Sequence, residues 1–208
     1  MKIAIIGGTG SMGRGLGERL AKSHEVIIGS RDPAKAKAAA ATIKGARGAD
    51  YSTAARECDS AIVAIPFSAI DSMSSLADEL SGKLVISVIN PMRFENGMLS
   101  YGLEKGSAAE MLADKLPKSR VATAFNNIPA VFFKKPETSR LDVVVASDSK
   151  KTFDDAARIV KSIPSLRPLY AGPLSEAQVV ERITPLILNL AKKNGTRSLS
   201  IHFVPQKK

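Results

Sequence analysis

The chain has 208 residues, 44% hydrophobic and 24% charged, which suits one to one and a half globular domains and excludes a disordered or fibrous chain. One cysteine, Cys58, excludes a disulfide framework or a Cys-based zinc site and points to the cytoplasm, and no apolar stretch nears the roughly 20 residues that cross a bilayer. The net charge is +10, yet no Lys/Arg run exceeds two residues, tryptophan is absent and aromatics are 5%, so the anionic partner expected is a small molecule rather than nucleic acid or a membrane.

Short β-branched apolar runs alternate with helical patterns, the signature of a Rossmann-type, doubly wound parallel α/β sheet. Strands are predicted at 2–6, 25–29, 60–65, 83–89, 120–125, 141–146 and 167–170. In the first helix Met12, Leu16 and Leu20 form one apolar stripe against the sheet. Asp32-Pro33 starts an Ala-rich second helix, with proline in the first turn, where its missing N–H does no harm. Ser149 caps a helix to about Ser162, and Pro164 stops it. A last helix starts near Leu174 or Ser175 and ends at Asn194-Gly195. Leu186, Ile187, Leu188 and Leu190 nearly encircle it, which predicts burial on more than one side and a homodimer interface. The alternation of Leu199, Ile201 and Phe203 predicts a final edge strand over 198–204. These elements divide into a dinucleotide-binding part, residues 1–147, and a smaller C-terminal α/β part, residues 148–208.

The strongest local signal is Gly8-Thr9-Gly10-Ser11-Met12-Gly13, a G-x-G-x-x-G that follows a strand and opens a helix. Gly8 is expected to permit the tight turn and Gly10 the approach of a pyrophosphate. Gly13 lets the helix pack closely, and the helix N-terminus offers unpaired N–H groups. An acid at the end of the second strand would select NAD, but here stands Gly29-Ser30-Arg31. Asp32 is better placed to cap the next helix. Ser30, Arg31, Lys35 and Thr9 form a cage for a 2′-phosphate, which predicts NADP(H). Further strand ends supply apolar, proline-stiffened walls: Ile65-Pro66, Asn90-Pro91, and Asn126-Asn127 before Ala130. Their asparagines can offer amide hydrogen bonds to a ring. No catalytic acid, base or metal site is predicted. His24 and His202 read as structural or solvated and Cys58 as a buried small hydrophobe, consistent with hydride transfer that needs alignment rather than a base.

Ile5-Ile6-Gly7-Gly8-Thr9-Gly10-Ser11-Met12-Gly13, Gly29-Ser30-Arg31, Ala64-Ile65-Pro66 and the stretches Leu166–Ser175 and Leu186–Asn189 resemble the coenzyme F420:NADP oxidoreductases, the deazaflavin-dependent NADP reductases. The resemblance implies NADP in the Rossmann cleft with the deazaflavin stacked on its nicotinamide, so that hydride passes directly between the rings. By that likeness Thr9, Gly10, Ser11, Met12, Ser30, Arg31 and Lys35 match NADP-binding positions, and Ala130 lies in the nicotinamide-side loop. Asn126 stands where archaeal members have histidine. The family's arginine and serine in the last helix appear as Gln178 and Arg182, while its threonine is kept as Thr184. Asn126, Thr184 and Arg182 are therefore the expected contacts to a second ring, deazaflavin or flavin. Arg167, Arg182 or Lys192 could face the acidic tail of the deazaflavin coenzyme. The competing expectation is a non-catalytic NADP-binding redox sensor, with its nicotinamide pocket filled rather than open.

Overall fold

A computed structural model describes residues 1–134 and 140–204. In chain order the elements are β1 (Lys2–Ile6), α1 (Ser11–Leu20), β2 (Glu25–Ser30), α2 (Pro33–Ala41), β3 (Ala46–Asp50), α3 (Tyr51–Glu57), β4 (Ser60–Val63), β5 (Leu84–Ser87), β6 (Met92–Glu95), β7 (Met98–Tyr101), α4 (Ala108–Lys115), β8 (Arg120–Thr123), β9 (Leu141–Ser147), α5 (Lys150–Lys161), β10 (Leu166–Gly172) and α6 (Ala177–Lys193). Short 3₁₀ segments occupy Phe67–Leu76, Ala130–Lys134 and Leu174–Glu176.

Eight strands form one sheet in the order β10-β9-β8-β5-β4-β1-β2-β3. All neighbours are parallel except β8 and β9. Both faces are covered, which is why the central strands read as continuous apolar runs. Ile3 and Ile5 pack with Leu16 and Leu20 on one side, and Ala4 and Ile6 with Ala54, Ala55 and Met73 on the other. From β1 the chain winds outward through β2 and β3, then crosses back to β4, so the order reverses between β1 and β4. Ligands of doubly wound sheets bind at such a switch point, beyond the carboxyl ends of the strands.

The helix starts expected at Asp32 and Ser149 hold, while the last helix begins at Ala177, after a 3₁₀ turn over Leu174–Glu176. Asp32 Oδ1 accepts from the amides of Ala34 (2.9 Å) and Lys35 (3.2 Å), and Ser149 Oγ accepts from the Thr152 amide at 3.1 Å. Elsewhere the chain differs from the prediction. The edge strand β3 went unforeseen because Ala46-Arg47-Gly48-Ala49-Asp50 has almost no apolar pattern. It lies tight under α2, where a Cβ on Gly48 would stand 2.4 Å from the Ala36 carbonyl carbon. The hairpin β6–β7 was also missed. It turns on Asn96 and Gly97, both at positive φ (51° and 76°), the requirement of a tight two-residue hairpin turn. The predicted third and fourth strands overran, since Ala64-Ile65 and Val88-Ile89 belong to loops. Segment 198–204 is not a strand. Leu199 and Phe203 are exposed, so the alternation buries no face, and the segment is held by one backbone bond, from the Asp142 amide to Ile201 O (3.3 Å), and by side chains. The carboxylate of buried Asp142 accepts from Arg167 Nε (2.6 Å) and Nη2 (2.9 Å) and from the Phe203 amide.

Candidate dinucleotide cleft

A cleft of about 580 Å³ opens at the switch point. Its floor is the glycine loop, and each glycine meets a different constraint. Gly7, at φ +83°, makes the left-handed turn, and a Cβ there would lie 2.6 Å from Ala64 O. The tight turn expected of Gly8 thus falls to Gly7. Gly8 sits beneath the cleft rather than in its lining, its amide donating to Ile5 O and Gly29 O, both at 3.0 Å. A Cβ on Gly13 would stand 2.6 Å from Gly8 Cα, so the helix packs against the loop as expected. At Gly10 a Cβ would meet only Gly7 O, at 3.7 Å, leaving its surface to the cleft. No side chain caps α1. Its first-turn amides and partial positive charge are therefore available to an anion beside Thr9, Gly10, Ser11 and Met12, which line the cleft.

At the β2 end, Ser30, Arg31 and Lys35 also line the cleft. Ser30 is buried, and its Oγ accepts from the Asp32 amide at 3.2 Å. Asp32 is turned into its capping role, with its other oxygen 3.9 Å from Lys35 Nζ. Asp32 also lines the cleft, but its Oδ1 is committed to the helix cap, and the exposed Arg31 and Lys35 beside it suit a 2′-phosphate. Tyr51, unforeseen, completes this end. Burial pushes its phenol up while the Arg31 charge pulls it down. Its place follows from Asp50, which caps α3 through the Thr53 amide at 2.8 Å.

The far end is walled by Ile65, Pro66, Phe67, Val88, Ile89, Asn90 and Met92. Behind Asn90 lies a polar network. Asn126 Nδ2 donates to Ile89 O (3.0 Å) and Asn90 Oδ1 (3.2 Å), while Asn126 Oδ1 accepts from the Thr123 hydroxyl (2.7 Å). Thr184 Oγ1 donates to the Asn126 carbonyl at 2.7 Å. Asn126, Asn90 and Thr184 are thus brought together, but the Asn126 amide is buried and spent on the protein. Phe125, fully buried, holds φ +65°, a strained conformation that costs roughly 1–3 kcal/mol and persists where its surroundings over-determine it. Asn127 is committed to β9, donating to Asp142 O (2.6 Å) and accepting from the Val144 amide (3.3 Å).

Ala130 and Arg182 do not line the cleft. Ala130 opens the 3₁₀ segment whose Phe133 presses on Gly15 of α1. Arg182 lies 4.6 Å from the Tyr101 ring centroid. Arg167 is paired with Asp142, and Lys192 Nζ donates to Gly97 O at 2.9 Å. Neither histidine is in the cleft. Burial lowers the His24 pKa, and His202 Nδ1 stands 3.3 Å from Asp142. Among the described residues no His, Cys, Asp and Glu cluster could hold a metal. Sequence reasoning also missed Glu181. It is fully buried on α6, accepting from the α4 amides of Ala108 (2.9 Å) and Ala109 (3.0 Å) and from the Tyr101 hydroxyl (2.8 Å). Burial outweighs those bonds and pushes its carboxyl up to about 7.

A glycine loop at the switch point, a cationic β2 end and an apolar slot without acid–base groups define a Rossmann-fold, NADP-dependent oxidoreductase. The family model "NADP oxidoreductase coenzyme F420-dependent" matches residues 2–91. F420-dependent NADP reductases from Methanothermobacter thermautotrophicus and Methanocaldococcus jannaschii are 36% and 32% identical, each alignment covering 97% of this chain and 94% and 97% of the relative. This chain belongs to the F420-dependent NADP reductase family. A solved structure described as an F420-dependent NADP-reductase candidate from Arthrobacter sp. FB24 shares the fold, with TM-score 0.86 and 24% identity over 99% of this chain and all of that one.

Proposed function

We propose that this protein transfers hydride between NADP(H) and coenzyme F420. The observation that carries the reading is the cleft itself, with phosphate-seeking amides at α1, Ser30, Arg31 and Lys35 at one end and an open apolar slot at the other. Residues 1–147 hold the dinucleotide, and residues 148–208 complete the ring end through α6. The loop 9–12 takes the pyrophosphate, Arg31 and Lys35 take the 2′-phosphate, and Ile65, Pro66 and Asn90 flank the nicotinamide. When bound, the two coenzymes supply the whole of the redox chemistry. The chain aligns them, keeps charged side chains out of the slot and shields it from water with Ile65, Phe67, Val88 and Ile89.

Pro66 and Met92 are exposed at the slot, which leaves it open to a second ring and favours an enzyme over a sensor. Asn126 acts through the Asn90 amide rather than on the ring, and Arg182 is held by Tyr101. Val179, Leu186, Leu188 and Leu190 are exposed along α6 and suit a homodimer contact, which light scattering would detect. No helix among the described residues is long and apolar enough to cross a membrane, and one buried thiol suits the cytoplasm. Anaerobic titration of coenzyme F420, FMN and FAD with NADPH, followed by ring absorbance, tests the function. Bleaching of the deazaflavin is expected. No reduction of any ring at saturating NADPH would overturn the reading.

A further inference from the structure

We propose that Asn189 is a positioning residue for the nicotinamide end of the cleft, acting through the hairpin β6–β7 whose first residue, Met92, lines that end. The inference rests on the NADP reading above. The sheet order fixes which end this is. Arg31 and Lys35 stand beyond β2, the glycine loop beyond β1, and Ala64 to Phe67 and Val88 to Asn90 beyond β4 and β5. A dinucleotide with its 2′-phosphate at β2 and its pyrophosphate over the loop therefore extends its nicotinamide toward β5, where Asn90-Pro91 leads into the hairpin.

The hairpin stands apart from the eight-stranded sheet, and an isolated two-stranded ribbon is marginal on its own. What holds it is α6. The amide of Asn189 serves as a third strand. Its Oδ1 accepts from the Leu99 amide (2.9 Å) and its Nδ2 donates to the Leu99 carbonyl (2.7 Å), satisfying both backbone groups of Leu99 on the open edge of β7. One helical turn toward the C-terminus, Lys192 Nζ reaches Gly97 O at the hairpin tip (2.9 Å). Two turns toward the N-terminus, Glu181 accepts from Tyr101 at the hairpin base (2.8 Å). Between these grips, Thr184 fastens the same helix to Asn126 O (2.7 Å), and Asn126 is bonded to Asn90. One helix thus grips the hairpin that begins at Met92 and, through Thr184 and Asn126, braces Asn90, so that both of these slot-lining residues are tied to it.

Asn189 touches no cleft-lining residue's side chain in any hydrogen bond described, so its effect must travel through the wall. The test compares the wild type with Asn189→Ala and Met92→Ala. Calorimetry measures affinity for NADP⁺ and for 2′,5′-ADP, which lacks the nicotinamide half, and amide exchange follows residues 92–101. Asn189→Ala should speed hairpin exchange and weaken NADP⁺ by about tenfold while leaving 2′,5′-ADP within about twofold. Met92→Ala should reproduce the selective loss of NADP⁺ without the faster exchange. Equal losses for both ligands, or faster exchange with unchanged NADP⁺ affinity, would overturn the assignment. Should Asn189→Ala fail to fold, Asn189→Asp, which keeps the acceptor for the Leu99 amide and loses the donor to the Leu99 carbonyl, carries the same comparison. No second ring enters these measurements. A protein that shows the selective loss yet reduces no deazaflavin refutes the proposed partner and leaves the role of Asn189 standing, while failure of the wild type to bind either ligand refutes the NADP reading itself.

Discussion

Replacing Glu181 with glutamine separates the cost of burying its charge from the worth of its hydrogen bonds. The carboxyl is pushed up from an ordinary 4.5 to about 7, so the folded protein holds a proton that the unfolded chain has released between those values. The stability it contributes is full below pH 4.5 and is lost as pH rises through 7, roughly 3 kcal/mol in all. Tyr101, Arg182 and Glu110 are the other titratable groups acting on it or on its Tyr101 partner. Glutamine has no charge to bury, but its amide nitrogen must face one of the donors now served by Glu181: the Ala108 or Ala109 amide or the Tyr101 hydroxyl. That mismatch costs about 1–3 kcal/mol. The variant should therefore be less stable than wild type at pH 5, and the gap should close by about 2.5 kcal/mol by pH 8, with the glutamine protein equal or ahead there. Urea denaturation at pH 5, 6, 7 and 8 measures it, since every other titration cancels in the difference. A constant difference across that range would refute burial as the dominant influence on this carboxyl.

Three further outcomes follow from local geometry. Arg31→Ala removes one charged partner of the 2′-phosphate, worth about 1.5–3 kcal/mol; fluorescence titration should show NADPH binding weakened by tenfold or more with NADH hardly changed, and equal loss for both would sink the assignment. Gly13→Ala places a Cβ 2.6 Å from Gly8 Cα, a backbone clash that cannot relax by a rotamer change, and should lower thermal stability by about 1–3 kcal/mol and weaken NADP⁺. Ser165 holds φ +69° between α5 and β10, a conformation costing a non-glycine residue roughly 1–2 kcal/mol. Ser165→Gly should raise stability by about 0.5 kcal/mol after the flexibility of glycine is set against that relief, which a denaturation midpoint would register.

The dinucleotide half was legible because its rules are local. A strand, a glycine loop and a helix start within thirteen residues leave one physical solution, and Ser30-Arg31 follows at a fixed distance. Asp32 as a cap could be foreseen from Pro33 alone. The ring end was less legible because it is assembled from distant segments. Asn126 and Thr184 were picked out and do meet, yet nothing in their spacing says that the Asn126 side chain turns inward to Ile89, Asn90 and Thr123. Glu181 looked like one charge on an amphipathic helix, and only the packed fold shows it capping α4. The hairpin did carry a local signal, Asn96-Gly97 between two four-residue runs, that went unread beside the stronger α/β rhythm. The tail is the opposite failure, a period-two pattern that no sheet uses.

The grips of α6 reach back 73 residues to Ala108, 80 to Tyr101, 90 to Leu99 and 95 to Gly97. During synthesis, the glycine loop and the β2 end can form long before this helix leaves the ribosome, whereas the slot for the hydride partner closes last. The two ends of the cleft are therefore separable in evolution as well as in time. Changes confined to the final helix would alter the ring end of the cleft while leaving the glycine loop and the β2 end in place.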